Sequence, residues 1–172
     1  MASGQVFVLT PSPPGLLYAL EDIYTSSATA TGGSYESMPV WAFNAATAEH
    51  MDLYGRAVGY GGSGLTLYLS WLCTVTATEK AVWGAGIRRL ATATDDFDAA
   101  FAYDYNYATD LQPANAGFMS SFTITFTDGA DMNSLANNEA FVLRLQRNAT
   151  ATGDTHTTNG YIAQGAVSLK ET

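Results

Sequence analysis

Two histidines, one cysteine and sixteen acidic side chains are the groups in this 172-residue chain that could do chemistry. A nucleophilic hydrolase needs a histidine held by a carboxylate, and Asp154-Thr155-His156 places both types together. The Gly-x-Ser-x-Gly elbow is missing, because Ser63 has Gly61 before it but Leu65 after it. His50 and His156 read more simply as polar strand-end or loop residues. Zinc requires three or four converging Cys, His or carboxylate ligands, which one cysteine and two separated histidines do not supply. Asp95-Asp96-Phe97-Asp98 and Asp128-Gly129-Ala130-Asp131 cluster hard oxygens that could hold calcium. The first lacks the glycine and closing glutamate of an EF-hand, so both read as solvated acidic turns. Two acids across a cleft would suffice for a glycosidase, but sequence spacing does not reveal such a separation. The expectation is no catalytic residue, no metal and no cofactor.

One pattern looks like a surface device. Phe101, Tyr103, Tyr105 and Tyr107 share one face of an extended segment, with Asp104 and Asn106 opposite. Tyrosines offer rigid amphipathic area, suited to a subunit interface or to stacking on a sugar. The simpler reading is that they cover the core or line the end of the sandwich.

The bulk composition narrows the function classes. Only 13% of residues are charged and 47% are hydrophobic, whereas an average domain carries about 25% charge. Polarity must then come from Thr, Ser, Asn and Gly, which favours strands and turns. The net charge of −9 is spread evenly: 2 basic and 6 acidic side chains in residues 1–86, 5 and 10 in residues 87–172. With no basic stripe, neither nucleic acid nor an anionic membrane is an expected partner. Cys73 sits in an apolar run and reads as a small buried hydrophobe. No secretory signal and no run of about 18 apolar residues is visible. The expected site of synthesis is a cytoplasm.

The elements that position these groups are strands. Leu65, Leu67, Leu69, Trp71, Cys73 and Val75 alternate strictly with Thr66, Tyr68, Ser70, Leu72, Thr74 and Thr76. Trp41 and Phe43 form a shorter alternation, and Leu53 with Tyr54 lies in another strand before the Gly59–Gly64 turn. Ala81, Trp83, Ala85 and Ile87 alternate around Gly84 and Gly86, whose lack of side chains marks a bulge or a close backbone approach. Phe118, Ser120, Phe122, Ile124 and Phe126 oppose Thr123, Thr125 and Thr127. Phe141, Leu143 and Leu145 oppose Arg144 and Gln146. Tyr161, Ala163, Val167 and Leu169 form the last strand, and Asp131–Asn138 contains one helical turn.

Residues 1–37 differ. Val6-Phe7-Val8-Leu9 is stopped by Pro11, Pro13 and Pro14, and the apolar Leu16–Tyr24 precedes a Ser/Thr/Ala/Gly linker. The division is an N-terminal arm over 1–37 and a sandwich domain over 38–172. The fold class is all-β: an antiparallel β-sandwich, favoured as a jelly roll.

Residues from about 39 to 170 resemble small structural proteins of tailed bacteriophages. The cues are Trp41–Asn44, the Gly-rich turn, Leu65-Thr66-Leu67-Tyr68-Leu69-Ser70-Trp71, Ala81-Val82-Trp83-Gly84-Ala85, Phe122-Thr123-Ile124-Thr125-Phe126 and Phe141–Asn148. The resemblance implies a jelly-roll sandwich that decorates or cements a capsid, or builds tail or fibre parts, often as a trimer. It supplies no functional residues. The resulting expectation is a non-enzymatic virion protein, made in the host bacterial cytoplasm, docked on the major capsid protein or other virion subunits. Val6, Phe7, Val8, Leu9, Leu16 and Leu17 are the docking candidates, and Tyr103, Tyr105 and Tyr107 the subunit contact. The alternative is a tail, fibre or receptor-binding module that holds carbohydrate. A platform of exposed tyrosines would favour the alternative.

Overall fold

The computed structural model describes residues 6–7, 10–11, 21–25, 37–75, 78–91, 95, 102–112 and 116–172, with backbone alone up to residue 39 and at 164–165. The strands are β1 (Val6–Phe7), β2 (Thr10–Pro11), β3 (Glu21–Thr25), β4 (Ser37–Phe43), β5 (Glu49–Arg56) and β6 (Leu65–Leu72). They continue with β7 (Lys80–Leu90), β8 (Asn106–Leu111), β9 (Met119–Phe126), β10 (Ala140–Arg147) and β11 (Gly160–Glu171). A 3-10 turn covers Ala130–Met132. Among the described residues no helix is long and apolar enough to cross a membrane.

All the strand pairings are antiparallel. One sheet runs β3-β4-β11-β6-β9, with β1 also on β11, and the other runs β2-β5-β10-β7-β8. The partners nest: β4 with β11, β5 with β10, β6 with β9, β7 with β8. A long ribbon folded at its middle and rolled gives this order, which is the jelly roll. The pieces of the 1–37 segment join both sheets. Val6 and Phe7 lie opposite Lys170 and Leu169, Thr10 and Pro11 opposite Tyr54 and Leu53, and β3 along β4. The apolar stretch expected as an arm or helical turn thus ends in a strand at Glu21–Thr25. Val8, Leu9, Leu16 and Leu17 lie outside the described residues.

Period-two alternation builds the core. Leu65, Leu67, Leu69 and Trp71 are buried, while Tyr68 between them is exposed. Met51 and Leu53 of β5 meet Leu145 and Leu143 of β10 in register. Trp83 sits among aromatic rings: Phe43 at 5.2 Å edge-on, Trp71 at 5.6 Å and Phe122 at 6.2 Å. Each such side chain contributes roughly 1.5–3 kcal/mol by leaving water.

Two details depart from the alternation read along the chain. Phe118 precedes β9 and is 63% exposed, so it belongs to no inward face. In β11 Ile162, Ala163 and Leu169 are buried and Val167 packs half-buried against the core, whereas Tyr161 is not in it. Between Ile162 and Val167 the register with β6 shifts: β11 advances five positions while β6 advances two, from Trp71 to Leu69, and an odd excess exchanges the two faces of β11.

The Gly59–Gly64 turn ties the sheet ends together. Gly64 has φ +97°, and a Cβ there would lie 2.7 Å from the Phe126 carbonyl oxygen, so only glycine fits. The Tyr60 hydroxyl accepts from the Gly64 amide and donates to Asp128 at 2.7 Å. Burial and that carboxylate raise its pKa.

Candidate functional site

The outer face of the β2-β5-β10-β7-β8 sheet carries the tyrosines. In β7 and β10 the odd positions point to the core, so the even ones face out: Gly84, Gly86, Arg144 and Gln146. Gly84 pairs with Tyr107 of β8, Gly86 with Arg144, and Arg144 in turn with Asp52 of β5. The two glycines leave a strip without side chains, onto which Tyr103, Tyr105 and Tyr107 settle. A Cβ at Gly84 would lie 2.7 Å from Cε1 of Tyr107; one at Gly86 would lie 3.1 Å from Cβ of Tyr103 and 3.0 Å from the Asp104 carbonyl. The interior glycines therefore mark a close approach of another segment.

The rings form a ladder. Tyr103 and Tyr105 have centroids 6.1 Å apart, and Tyr105 and Tyr107 are stacked at 5.9 Å. Tyr107 is 51% exposed, the other two half-buried. The Arg144 guanidinium lies 4.3 Å from the Tyr103 ring centre and grips Asp52 with two bonds of 2.6 and 2.7 Å. Such a bidentate pair over an aromatic face fixes both partners in one orientation. Burial, and secondarily the Asp52 carboxylate, push the Tyr103 phenol up to about 12, while Arg144 opposes the shift. Burial also raises Tyr105, again against Arg144. Both remain neutral phenols across physiological pH, and the Tyr103 hydroxyl is buried with no hydrogen-bond partner among the described residues. Tyr54 and His50, both exposed, flank Asp52 on the same strand face.

The structure thus gathers Tyr103, Tyr105 and Tyr107 on one sheet face and adds Arg144, Asp52 and His50. Phe101 lies outside the described residues. Val6 and Phe7 are in the opposite sheet, so they do not share a face with the ladder. The Arg144–Asp52 pair is 92 residues apart in sequence, and only alternation on β10 hinted that Arg144 faces outward.

The other candidate groups serve the fold. His156 lies in the loop between β10 and β11, where it is buried. Its Nδ1–H donates to the Gln112 carbonyl oxygen at 2.8 Å, and Nε2 accepts from the Thr158 hydroxyl at 3.2 Å. Asp154 is held by the buried Arg147 guanidinium, with bonds of 2.9 and 3.2 Å. Asp128 and Asp131 accept from Tyr60 and from the Thr127 amide, and Asp95 from Arg88 and the Ala91 amide. Asp96 and Asp98 lie outside the described residues. Among the described residues no group of three His, Cys, Asp or Glu could hold a metal ion. Cys73 is buried and free, and burial raises its thiol pKa.

His156 makes stability pH-dependent. Burial first, then Arg147, holds its imidazole below the ordinary 6.5. The unfolded chain then binds the proton more readily, so this histidine costs nothing above about pH 6.5 and destabilises as pH falls from there towards the folded value. Urea midpoints should drop between about pH 7.5 and about pH 5.5. That window lies above the acid range of Asp95 and Asp131, whose carboxyls are held below 3.8. His156→Gln should flatten the drop; equal slopes in both proteins would remove His156 as its source.

No family model and no curated protein matches the chain. Among solved structures, the CBM22-1 xylan-binding domain from Paenibacillus barcinonensis Xyn10C is 9% identical with a TM-score of 0.43, covering 99% of this chain and 96% of that one. TmCBM61, solved with beta-1,4-galactotriose, is 6% identical with a TM-score of 0.38, covering 96% and 88%. The arabinose-bound MgGH51 α-L-arabinofuranosidase is 9% identical with a TM-score of 0.44; the match covers 98% of this chain but 26% of the enzyme.

Proposed function

We propose that this chain is a non-catalytic recognition module of a phage virion, of the tail, fibre or receptor-binding kind, which holds a glycan on its tyrosine-lined sheet face. The observation that carries the reading is the ladder of Tyr103, Tyr105 and Tyr107 on a glycine floor beside the Arg144–Asp52 pair. Sugar rings present apolar C–H faces and equatorial hydroxyls. Stacked phenols match the first, and the guanidinium, carboxylate, imidazole and amide along Arg144, Asp52, His50 and Gln146 match the second. Rings already stacked on one another and on backbone lose little freedom on binding. Glycoside cleavage takes two carboxyl groups facing across the bond. Asp52 is engaged by Arg144 instead, which suits binding without hydrolysis.

Calorimetry with purified host-surface polysaccharides tests this directly. Tyr105→Ala and Tyr107→Ala should each weaken binding by about 3- to 10-fold, with melting temperature little changed for the exposed Tyr107. Tyr107→Phe should keep most of the affinity. Wild-type chain that binds no polysaccharide in such a panel would sink the proposal.

A second reading is a shell-cementing protein docked on the major capsid protein. Its support is a set of apolar side chains bracketing the β8–β9 connection: Leu111 is 50% exposed, Phe118 63% and Met119 47%. Several such contacts on a lattice reinforce one another through effective concentration. Hundreds of copies per purified particle favour this reading; a few favour the tail or fibre.

A further inference from the structure

We infer that the free edge of β9 is a pairing surface for a second copy of this chain, joined antiparallel about a two-fold axis. This goes beyond glycan recognition and rests on the β9 edge, although Tyr107 of the ladder also lines the groove beside that edge. β9 ends its sheet, with β6 on its inner side. In an antiparallel ladder alternate residues turn both backbone groups to one neighbour. The Thr125 carbonyl accepts from Asn106 Nδ2 at 2.8 Å and the Thr127 amide donates to Asp131 at 2.8 Å, so the odd positions point away from β6. Ser121 and Thr123 share that phase. Their outward N–H and C=O groups have no partner among the described residues.

Edge strands ordinarily carry a charge, a proline or a bulge that blocks such pairing. Met119-Ser120-Ser121-Phe122-Thr123-Ile124-Thr125-Phe126 has none of these. A groove of about 410 Å³ lies between this edge and β8, lined by Asn106, Tyr107, Thr123, Thr125 and Asp131 among others. Half-buried Phe122 packs on Trp83.

The occupant is a second copy because the strand is its own complement. A two-fold axis at Phe122 sets Ser121 of each copy opposite Thr123 of the other. Each pair then exchanges both its N–H···O bonds, and the hydroxyls meet on the outer face. The two Phe122 rings meet on the opposite face. No side chain of β9 adds to the repulsion expected from a net charge of −9. Isologous pairing of one edge closes as a dimer; the expected trimer would have to join two different surfaces.

Sedimentation of the full chain over a concentration series tests this. The wild type should pass from monomer to dimer, with Ser121 and Thr123 amides gaining hydrogen-exchange protection over the same range. Thr123→Pro removes an outward N–H, a change that edge strands accept. Thr123→Lys adds an edge charge on an exposed position. Each should raise the dimer dissociation constant at least about tenfold. If the proline variant unfolds, the lysine variant decides. A wild type that stays monomeric, a trimer, or a dimer unchanged by Thr123→Lys overturns the inference.

Discussion

Replacing Arg147 with methionine is expected to cost the fold about 3–5 kcal/mol, the loss typical of breaking a buried ion pair from one side. Arg147 is fully buried and its partner Asp154 nearly so, at 0% and 1% side-chain exposure. One guanidinium edge holds the Asp154 carboxylate. The rest donates to the carbonyls of Thr158 at 2.6 Å, of Phe43 at 3.5 Å and of His156. The group thus nails the β10–β11 loop to the end of β4. Methionine leaves the carboxylate and three carbonyls without these donors in a place water does not reach. Arg147→Lys should rescue little, because one ammonium cannot span carbonyls arranged around a planar fork. Arg147→Met with Asp154→Leu should recover a good part of the loss, since removing both charges removes the burial penalty. In thermal melts the single variant should fall roughly 10 °C, at about 2–4 °C per kcal/mol for a chain this size. A loss below about 1 kcal/mol would show that the pair stabilises no more than an exposed one.

Trp71→Ala should be comparably severe, at about 3–5 kcal/mol. The indole has no exposed surface and touches the Trp83 and His156 rings at centroid distances of 5.6 and 5.3 Å. Its Nε1–H donates to Asp110 at 2.7 Å, linking β6 in one sheet to β8 in the other. Alanine forfeits packing and bridge together. Trp71→Phe keeps most of the ring volume and loses the bridge, at a cost of about 1–2 kcal/mol. Comparing the two by urea titration separates packing from hydrogen bonding. Equal losses in both would mean that the Asp110 bond, not the cavity, dominates.

These two sites were differently legible. Trp71 belongs to the strict alternation from Leu65 to Cys73, and its burial follows from period two alone. Arg147 continues the same inward phase as Phe141, Leu143 and Leu145. Its charge concealed that position, because only the loop carrying Asp154, His156 and Thr158 makes burial tolerable. The tyrosine stripe was visible as one face of an extended segment. Its floor was not, because Gly84 and Gly86 acquire their role from β8 and the residues before it crossing above them.

What the residue order determined by itself was which positions flip in and out, where turns fall, and that polarity comes from Thr and Ser instead of charge. Those properties are local, since side-chain direction and turn geometry depend on a few neighbouring residues. The tertiary structure decided the rest. It nested the strands into a jelly roll, set the register shift in β11 that exchanges its faces, paired Arg144 with Asp52, and left β9 at an edge. Each of these depends on backbone hydrogen bonds or ion pairs between segments far apart in the chain, which no pattern along one segment encodes.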